Sequence, residues 1–365
     1  MKWLDLGRKL QGLPKNFDTS KIYKGKDLVE PLKNEFLNIV REIDDNEVKN
    51  IMRRAGDPEI KTKDELISNL STLVDKLNNC IINAKFHIDK IVGEVDEILF
   101  KPNGKCNHEK DFCYRIPKGT NLYRMRREDN SYKRFDKKGL YVVREDMCYV
   151  VDDARFNNDG EAFLYLADSL YMAWEEMRRP DFHRANFVRF EPSREMKVLD
   201  LTVPDVPNSF YKLVRSYIAL ACGMKVESSR KEDSGAHKWQ YEFSRIIAMR
   251  LHNKICEGVS DLSGIRYHST CRFEEDFNID NSNISMAYVF MPHDTITGDS
   301  DYCPKLARKF KMTEPTSYFF LKVHRQKFIP TTVPNTSEYQ HTIFAELEEI
   351  LKSQKATPCS ELLKK

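Results

Sequence analysis

The sequence predicts an α+β fold, in which a helical N-terminal domain precedes a mixed domain of strands and helices. Apolar residues between positions 21 and 100 recur at three- and four-residue steps, which is typical of amphipathic helices. After position 113 the apolar residues instead form short runs rich in aromatic side chains, which favour strands. The stretch Lys101–Lys105 contains Pro and Gly and separates the two regions. We therefore predict domains at 1–104 and 105–365.

The composition restricts the classes of partner. The chain has 365 residues, 41% of them hydrophobic, and a formal net charge of +3. This charge is too nearly balanced to favour a nucleic-acid partner. Neither a leader segment nor a run of about 18 apolar residues is visible, so we expect a cytoplasmic protein with no membrane partner. Nine cysteines without framework spacing favour reduced thiols.

The N-terminal helices carry no catalytic spacing, and we interpret them as a scaffold or docking module. Their apolar positions include Phe36, Ile39, Val40 and Ile43 in one set and Leu66, Leu70, Leu73, Val74 and Leu77 in another. A third helical stretch covers residues 80–99. Cys106, His108 and Cys113 follow the break, but a structural zinc site needs a fourth ligand at standard spacing. We therefore predict loop cysteines and no metal.

Two segments of the mixed domain carry candidate site residues. A predicted strand at 119–127 ends near Tyr123 and Arg124, a ring and a guanidinium suited to stacking and to phosphate oxygens, although a solvated basic face is the alternative. Arg155-Phe156-Asn157 then leads into a turn at Gly160 and an apolar strand at 163–167. Asp168 or Ser169 is expected to cap a helix that carries Glu175 and Glu176. A cation and a carboxylate on neighbouring elements are suited to an anionic ligand and a developing cation.

The remaining elements complete an α+β pattern. We predict strands at 186–190, 197–202, 284–291 and 318–323, helices at 210–222, 238–251 and 337–353, a surface loop at 228–235, and a turn followed by a strand end at 262–270. The last of these carries His268 and Ser269.

Four pieces in this order resemble the RES domain family, which is named for its Arg, Glu and Ser. They are Leu122-Tyr123-Arg124, Arg155-Phe156-Asn157 with Gly160, Tyr165-Leu166-Ala167 with Glu176, and Gly264-Ile265-Arg266-Tyr267-His268-Ser269. The resemblance covers roughly residues 114–292. It implies a fold similar to ADP-ribosyltransferase toxins and a bacterial toxin that destroys NAD by hydrolysis or phosphorolysis.

The resemblance also implies residue roles. Arg155, Glu176 and Ser269 take the catalytic positions, and Tyr123, Arg124 and Tyr165 bind the substrate. NAD is the substrate, so no cofactor is required. The chain departs from the family at Asp153-Ala154, where glycine often precedes the arginine. Because Glu175 adjoins Glu176, a shift of one residue would exchange their roles. Ser269 is expected to hold a hydroxyl or carboxamide, since His268 points to the opposite face of a strand.

Several alternatives stay open at this point. The ribosyl acceptor is water, phosphate or, in an ADP-ribosyltransferase, a macromolecule. A protein that binds a nucleotide without turnover is a further alternative. The resemblance implies an antitoxin partner, whereas the helical region is also suited to regulation in cis or to assembly into a homo-oligomer.

Overall fold

The computed structural model confirms the α+β class. It describes residues 1–16, 29–51, 58–83, 88–127, 135–223, 239–269, 285–293, 302–317, 329–330 and 336–363. These form two compact units, one of Met1–Cys113 with Leu199–Leu251 and the other of Tyr114–Val198 with His252–Lys365. The first unit thus takes in a segment far beyond residue 104, and the division at 104/105 stays a prediction. Among the described helices, none is long and apolar enough to cross a bilayer.

The first unit is built mainly from helices. They are α1 Trp3–Asn16, α2 Val29–Arg41, α3 Asp45–Lys49, α4 Lys63–Asn83, α5 Ile88–Leu99, α6 Glu109–Phe112, α9 Phe210–Cys222 and α10 Trp239–Cys256, whose last turn passes into the second unit. The predicted apolar sets in α2 and α4 are buried, apart from the partly exposed Leu73. Phe36 of α2 packs on Tyr217 of α9, with 5.1 Å between ring centroids. Burial of these faces stabilises the helices.

The second unit contains most of a sheet that has ten strands within the described residues. The strands are β1 Cys113–Ile116, β2 Leu122–Arg127, β3 Leu164–Ala167, β4 Ala185–Pro192, β5 Met196–Leu201, β6 Leu262–His268, β7 Met286–Phe290, β8 Phe310–Met312, β9 Thr316–Ser317 and β10 Thr357–Pro358. Their order is β1-β5-β6-β7-β3-β2-β4-β8-β10, with β9 beside β4. The sheet from β6 to β10 is antiparallel throughout. The helices of the second unit are α7 Lys137–Leu140, α8 Leu170–Glu176, α11 Pro304–Ala307, α12 Thr336–Tyr339 and α13 Ile343–Ser353.

The two faces of this sheet bury separate apolar clusters. Leu122 of β2 belongs to one cluster and Tyr123 to the other, as the alternation of side chains along a strand requires. The second cluster contains α8 and α13, and Trp174 and Phe344 pack there with 5.3 Å between ring centroids. Helix α8 is therefore held between the sheet and the last long helix of the chain.

Some predicted elements differ from the structure. Residues 262–264 belong to a strand rather than a turn, and a Cβ at Gly264 would lie 2.0 Å from the Val289 carbonyl oxygen, so glycine permits β6 to approach β7. The helix predicted at 337–353 is two helices, because Thr342 accepts a hydrogen bond from the Ala345 amide and begins α13. The loop predicted at 228–235 and the strand predicted at 318–323 both lie outside the described residues.

Candidate active site

A cavity of about 280 Å³ lies in the second unit and brings four predicted site residues together. Tyr123, Arg124, Tyr165 and Glu176 line it, and Met125, Ala154, Leu166, Ala167, Ala173, Met177, Tyr267 and Ala287 complete the lining. Arg155 and Ser269 are not among these lining residues of the described chain. The cavity joins β2 and β3 to α8 and to the loop before β3.

The cavity lies where β2 and β3 part. β2 pairs with β4 along its whole length and β3 pairs with β7 along its whole length, but β2 and β3 share the single pair Tyr123↔Ala167. Beyond that pair the Arg124 Nη1 atom donates to the Tyr165 carbonyl oxygen at 3.3 Å. The Arg124 side chain therefore bonds a carbonyl oxygen that a backbone amide of β2 would bond in a continuous ladder. The cavity lies in the opening between these two strands.

Arg124 supplies a cation to this opening. It was predicted at the end of a strand, but β2 continues to Arg127, so it lies in the middle. Removal of its guanidinium from water, and then the charge of Arg126, lower the pKa of Arg124 to about 10, which leaves it protonated at neutral pH. A desolvated guanidinium of this kind favours an anionic ligand.

Helix α8 carries both candidate acids, and its sequence explains its limits. Ser169 begins the helix as its N-cap, because its side chain accepts a hydrogen bond from the Met172 amide at 3.1 Å. The helix ends before Arg178 and Arg179, which have φ values of 58° and 53°. The amide of Arg179 donates to the Trp174 carbonyl oxygen at 3.0 Å across this turn. Of the two predicted caps, Asp168 and Ser169, the structure shows Ser169.

The structure separates the roles of the two acids. Glu175 is 1% exposed, and its carboxylate accepts hydrogen bonds from Arg179 Nε at 3.1 Å and Nη2 at 2.7 Å. The same guanidinium lies 5.2 Å from the centre of the Trp174 ring. Glu176 instead lines the cavity, and Tyr267 Oη donates to its Oε2 at 3.5 Å. Glu175 is thus paired with the turn that follows the helix, whereas Glu176 faces the cavity.

The loop before β3 is fastened to the cavity by Asn157. The amide nitrogen of this buried residue donates to the carbonyl oxygens of Asp152 at 3.2 Å and Asn158 at 3.0 Å. Its Oδ1 accepts from the Tyr165 hydroxyl at 2.7 Å. Gly160 has a φ of 80°, as the predicted turn requires. Asn157 therefore orients a ring that lines the cavity.

The remaining predicted residues lie at the margin of the cavity or in the core. Arg155 is 7% exposed and follows Ala154, which lines the cavity. Ser269 is 4% exposed and directly follows His268, the last residue of β6. Tyr123 is 1% exposed, and its hydroxyl has no hydrogen-bond partner among the described residues. Burial raises the pKa of Tyr123, and little of its ring is left for stacking.

Sequence reasoning missed Tyr267 and gave no role to Asn157. The position of Tyr267 two residues before Ser269 was a usable signal, because alternate residues of a strand share a face. No comparable signal existed for Asn157, since its three partners become neighbours only in the folded loop. Within the described ranges, no group of three or more His, Cys, Asp or Glu side chains is placed to hold a metal ion.

Comparisons with known proteins agree with the resemblance in the sequence. A curated relative named "Putative toxin YopC", from Bacillus subtilis (strain 168), is 21% identical over 261 residues. The match covers 65% of this chain and 57% of the relative, so the chain spans little more than half of that protein. No solved structure gives a significant match. The family model described as the RES domain matches residues 121–292, which contain the whole lining of the cavity, so the predicted resemblance to the RES domain family is confirmed over this segment.

Proposed function

We propose that this protein consumes NAD by cleaving the bond between nicotinamide and ribose, with water or phosphate as the acceptor. One observation carries the proposal. Arg124, a cation whose guanidinium is removed from water, and Glu176, an acid that accepts a hydrogen bond from Tyr267, line the same cavity. A substrate that is anionic at one end and becomes cationic at the reacting carbon fits this pairing.

The chemistry assigns a role to each group. Nicotinamide leaves NAD as a neutral molecule, so the leaving group needs no proton, and the barrier lies in the oxocarbenium ion that develops on the ribose. The Glu176 carboxylate stabilises that cation and orients the acceptor, as carboxylates do in glycoside hydrolysis. The Arg124 guanidinium binds a phosphate oxygen, and Arg155 contributes from the margin. Tyr165, whose ring is half-buried at the cavity, forms a wall for the nicotinamide.

The size of the cavity limits how the substrate enters. Ligand pockets usually have volumes of about 300–1,000 Å³, and the cavity of about 280 Å³ lies at the lower end. The nicotinamide-ribose end of NAD therefore enters, and the adenosine end remains outside it. We propose a toxin or growth-arresting effector that acts in the bacterial cytosol. The distant relative named as a putative toxin and the RES domain match support the toxin class, and an antitoxin is the proposed partner.

The test is incubation of the purified chain with NAD, with and without phosphate, while nicotinamide release is followed and the ribosyl product identified. Glu176→Gln keeps the shape of the side chain and should lower the rate by roughly 10²- to 10⁴-fold. Glu195→Gln is the matched control, because Glu195 pairs with Arg115 at an exposed site. Intact NAD with the unaltered chain, or an unchanged rate in Glu176→Gln, would contradict the proposal. Ribosyl label on a macromolecule would instead identify an ADP-ribosyltransferase.

A further inference from the structure

A buried polar cluster joins the C-terminal helices to the start of the helix that carries Glu176. The cluster consists of Glu348 on α13, Tyr339 on α12, Tyr123 on β2 and the backbone amide of Leu170 on α8. Glu348 Oε1 accepts a hydrogen bond from the Leu170 amide at 2.7 Å and another from the Tyr339 hydroxyl. These contacts bind the first turn of α8 directly to α13.

The position of the cluster makes it relevant to the cavity. α8 has seven residues, so its first turn and the turn that bears Glu176 are separated by little more than one helical repeat. A shift at Leu170 is therefore transmitted to Glu176 through a rigid helical segment. The Tyr123 ring, which lines the cavity on one side, lies within the electrostatic reach of Glu348 on the other.

The family match does not include the residues that supply this contact. The RES domain model ends at residue 292, whereas α12 and α13 begin at Thr336 and Ile343. We propose that Glu348 is a positioning residue, which uses its bonds to Leu170 and Tyr339 to fix α8 and thereby the Glu176 carboxylate in the cavity. This inference rests on the proposed function only where activity is the readout.

The charge state of Glu348 provides a way to test its role. Burial raises the pKa of Glu348 to about 7, although the bonds from Tyr339 and Leu170 act in the opposite direction. The titratable groups that face it are Tyr339 from α12, Tyr123 from β2, and Glu349 and Lys352 on its own helix, while α8 contributes a backbone amide. Because the cost of burying the charge exceeds the gain from these hydrogen bonds, the packing of α13 on α8 is more stable while Glu348 holds a proton.

The expected effect is a pH dependence that a purely structural residue would not give. In the unaltered chain, kcat for NAD consumption should fall as the pH rises through an inflection near 7, because ionisation of the buried Glu348 weakens its hold on α8. Glu348→Gln keeps an oxygen acceptor in place but has no charge to gain. Its kcat should lose that inflection and lack the decrease of about fivefold between pH 6 and pH 8.

Two variants and a second readout separate the outcomes. Glu349→Gln removes the same charge from the next residue of α13, where the side chain is exposed and pairs with Lys352, and it should keep the inflection. Hydrogen exchange of residues 168–177, corrected for intrinsic rates, should show protection that decreases from pH 6 to pH 8 in the unaltered chain and in Glu349→Gln, but not in Glu348→Gln.

The exchange measurement does not depend on catalysis. If NAD remains intact while the exchange pattern appears as expected, the proposed function is wrong and the positioning role of Glu348 toward α8 is supported. If Glu348→Gln matches Glu349→Gln in exchange, and in the pH profile wherever NAD is consumed, Glu348 does not position α8 and the inference is overturned. Near-ultraviolet circular dichroism of each variant verifies that tertiary packing is retained.

Discussion

Glu175 and Glu176 are neighbours in sequence that contribute to different properties of the molecule. Glu175 is buried against Arg179, whereas Glu176 lines the cavity. Removal of one partner from a buried ion pair leaves the other charge uncompensated, so we expect Glu175→Gln to lower the free energy of unfolding by about 3 kcal/mol. Glu176→Gln should change it by less than about 1 kcal/mol.

Urea denaturation of both variants measures this difference. The midpoint should decrease in Glu175→Gln and remain close to that of the unaltered chain in Glu176→Gln, with similar slopes. Equal midpoints in the two variants would mean that the ion pair with Arg179 does not make Glu175 more important for stability than Glu176.

Asn157 offers a second residue-level prediction. Its amide nitrogen faces two carbonyl oxygens, so Asn157→Asp would place a carboxylate oxygen against them and leave two acceptors without donors. We expect a loss of about 2 kcal/mol in the free energy of unfolding. Tyr165→Phe removes only the hydroxyl that donates to Asn157 and should cost about 1 kcal/mol.

Thermal unfolding of Asn157→Asp, Asn157→Ser and Tyr165→Phe at one pH ranks these effects. The prediction requires Asn157→Asp to be the least stable of the three. A melting temperature for Asn157→Asp at or above that of Tyr165→Phe would show that the loop does not depend on the orientation of the Asn157 amide.

Much of the site could be predicted because its residues lie in short motifs of the sequence. Tyr123, Arg124, Tyr165 and Glu176 line the cavity as a group. The buried position of Tyr123 could not be foreseen, because the covering residues Glu348 and Tyr339 lie more than 200 positions away and enter through tertiary packing. Glu176 was assigned from the resemblance, but the pairing of Glu175 with Arg179 could not be foreseen, because it depends on the left-handed turn that brings Arg179 back onto the helix.

The end of helix α8 has backbone strain at two consecutive left-handed residues, Arg178 and Arg179. Such a conformation costs roughly 1–2 kcal/mol for a residue other than glycine. The Arg178 side chain is exposed, so Arg178→Gly relieves the strain but increases the entropy of the unfolded chain, and we expect a change within about 1 kcal/mol. Arg179→Gly loses the bond to Glu175 and should destabilise by about 3 kcal/mol.

The two variants control for each other, since each replaces an arginine of positive φ by glycine. Denaturation midpoints should be nearly unchanged for Arg178→Gly and clearly lower for Arg179→Gly. Similar losses in both would assign the stability of this turn to its backbone rather than to the ion pair.

Sequence patterns were informative for long or strongly apolar elements and less so for short ones. β3, β4, β5, α8 and α9 agree with their predicted positions. β1, β8, β9 and β10 were missed, because strands of two to four residues give too little alternation to recognise. The break between α12 and α13 was missed because Ile343 and Leu347 continue the apolar spacing past the Thr342 cap.

For the whole molecule, two buried groups predict how stability changes with pH. The pKa of Glu348 is about 7 in the folded chain and near 4.5 when unfolded, so the folded state holds a proton that the unfolded state releases. Stability from this group is present below pH 4.5 and is lost as the pH rises to 7. Burial, and then the charge of Arg194, lower the pKa of Lys309 from 10.5 to about 8. The free-energy cost of burying the Lys309 ammonium therefore disappears as the pH rises above 8.

Together, Glu348 and Lys309 predict that the free energy of unfolding has a minimum between about pH 7 and 8. Each group lowers it there by up to about 3 kcal/mol. Chemical denaturation from pH 4.5 to 10.5 should show the minimum, and Glu348→Gln with Lys309→Met should flatten it. A double variant whose stability follows the same curve as the unaltered chain would assign the pH dependence to other groups.

The packing of α13 also determines which fragments of the chain are viable. A fragment limited to residues 121–292 would keep every residue that lines the cavity but would lack Phe344, Leu347 and Leu351, which cover the aromatic side of the sheet. It would also leave the edge of β4 without β8. Exposed aromatic surface beside an unpaired strand edge promotes aggregation. We expect that fragment to precipitate on expression, whereas a chain of residues 1–363 remains dispersed, as size-exclusion chromatography of the two would show. The boundaries of sequence similarity are therefore narrower here than the boundaries of a self-sufficient folding unit.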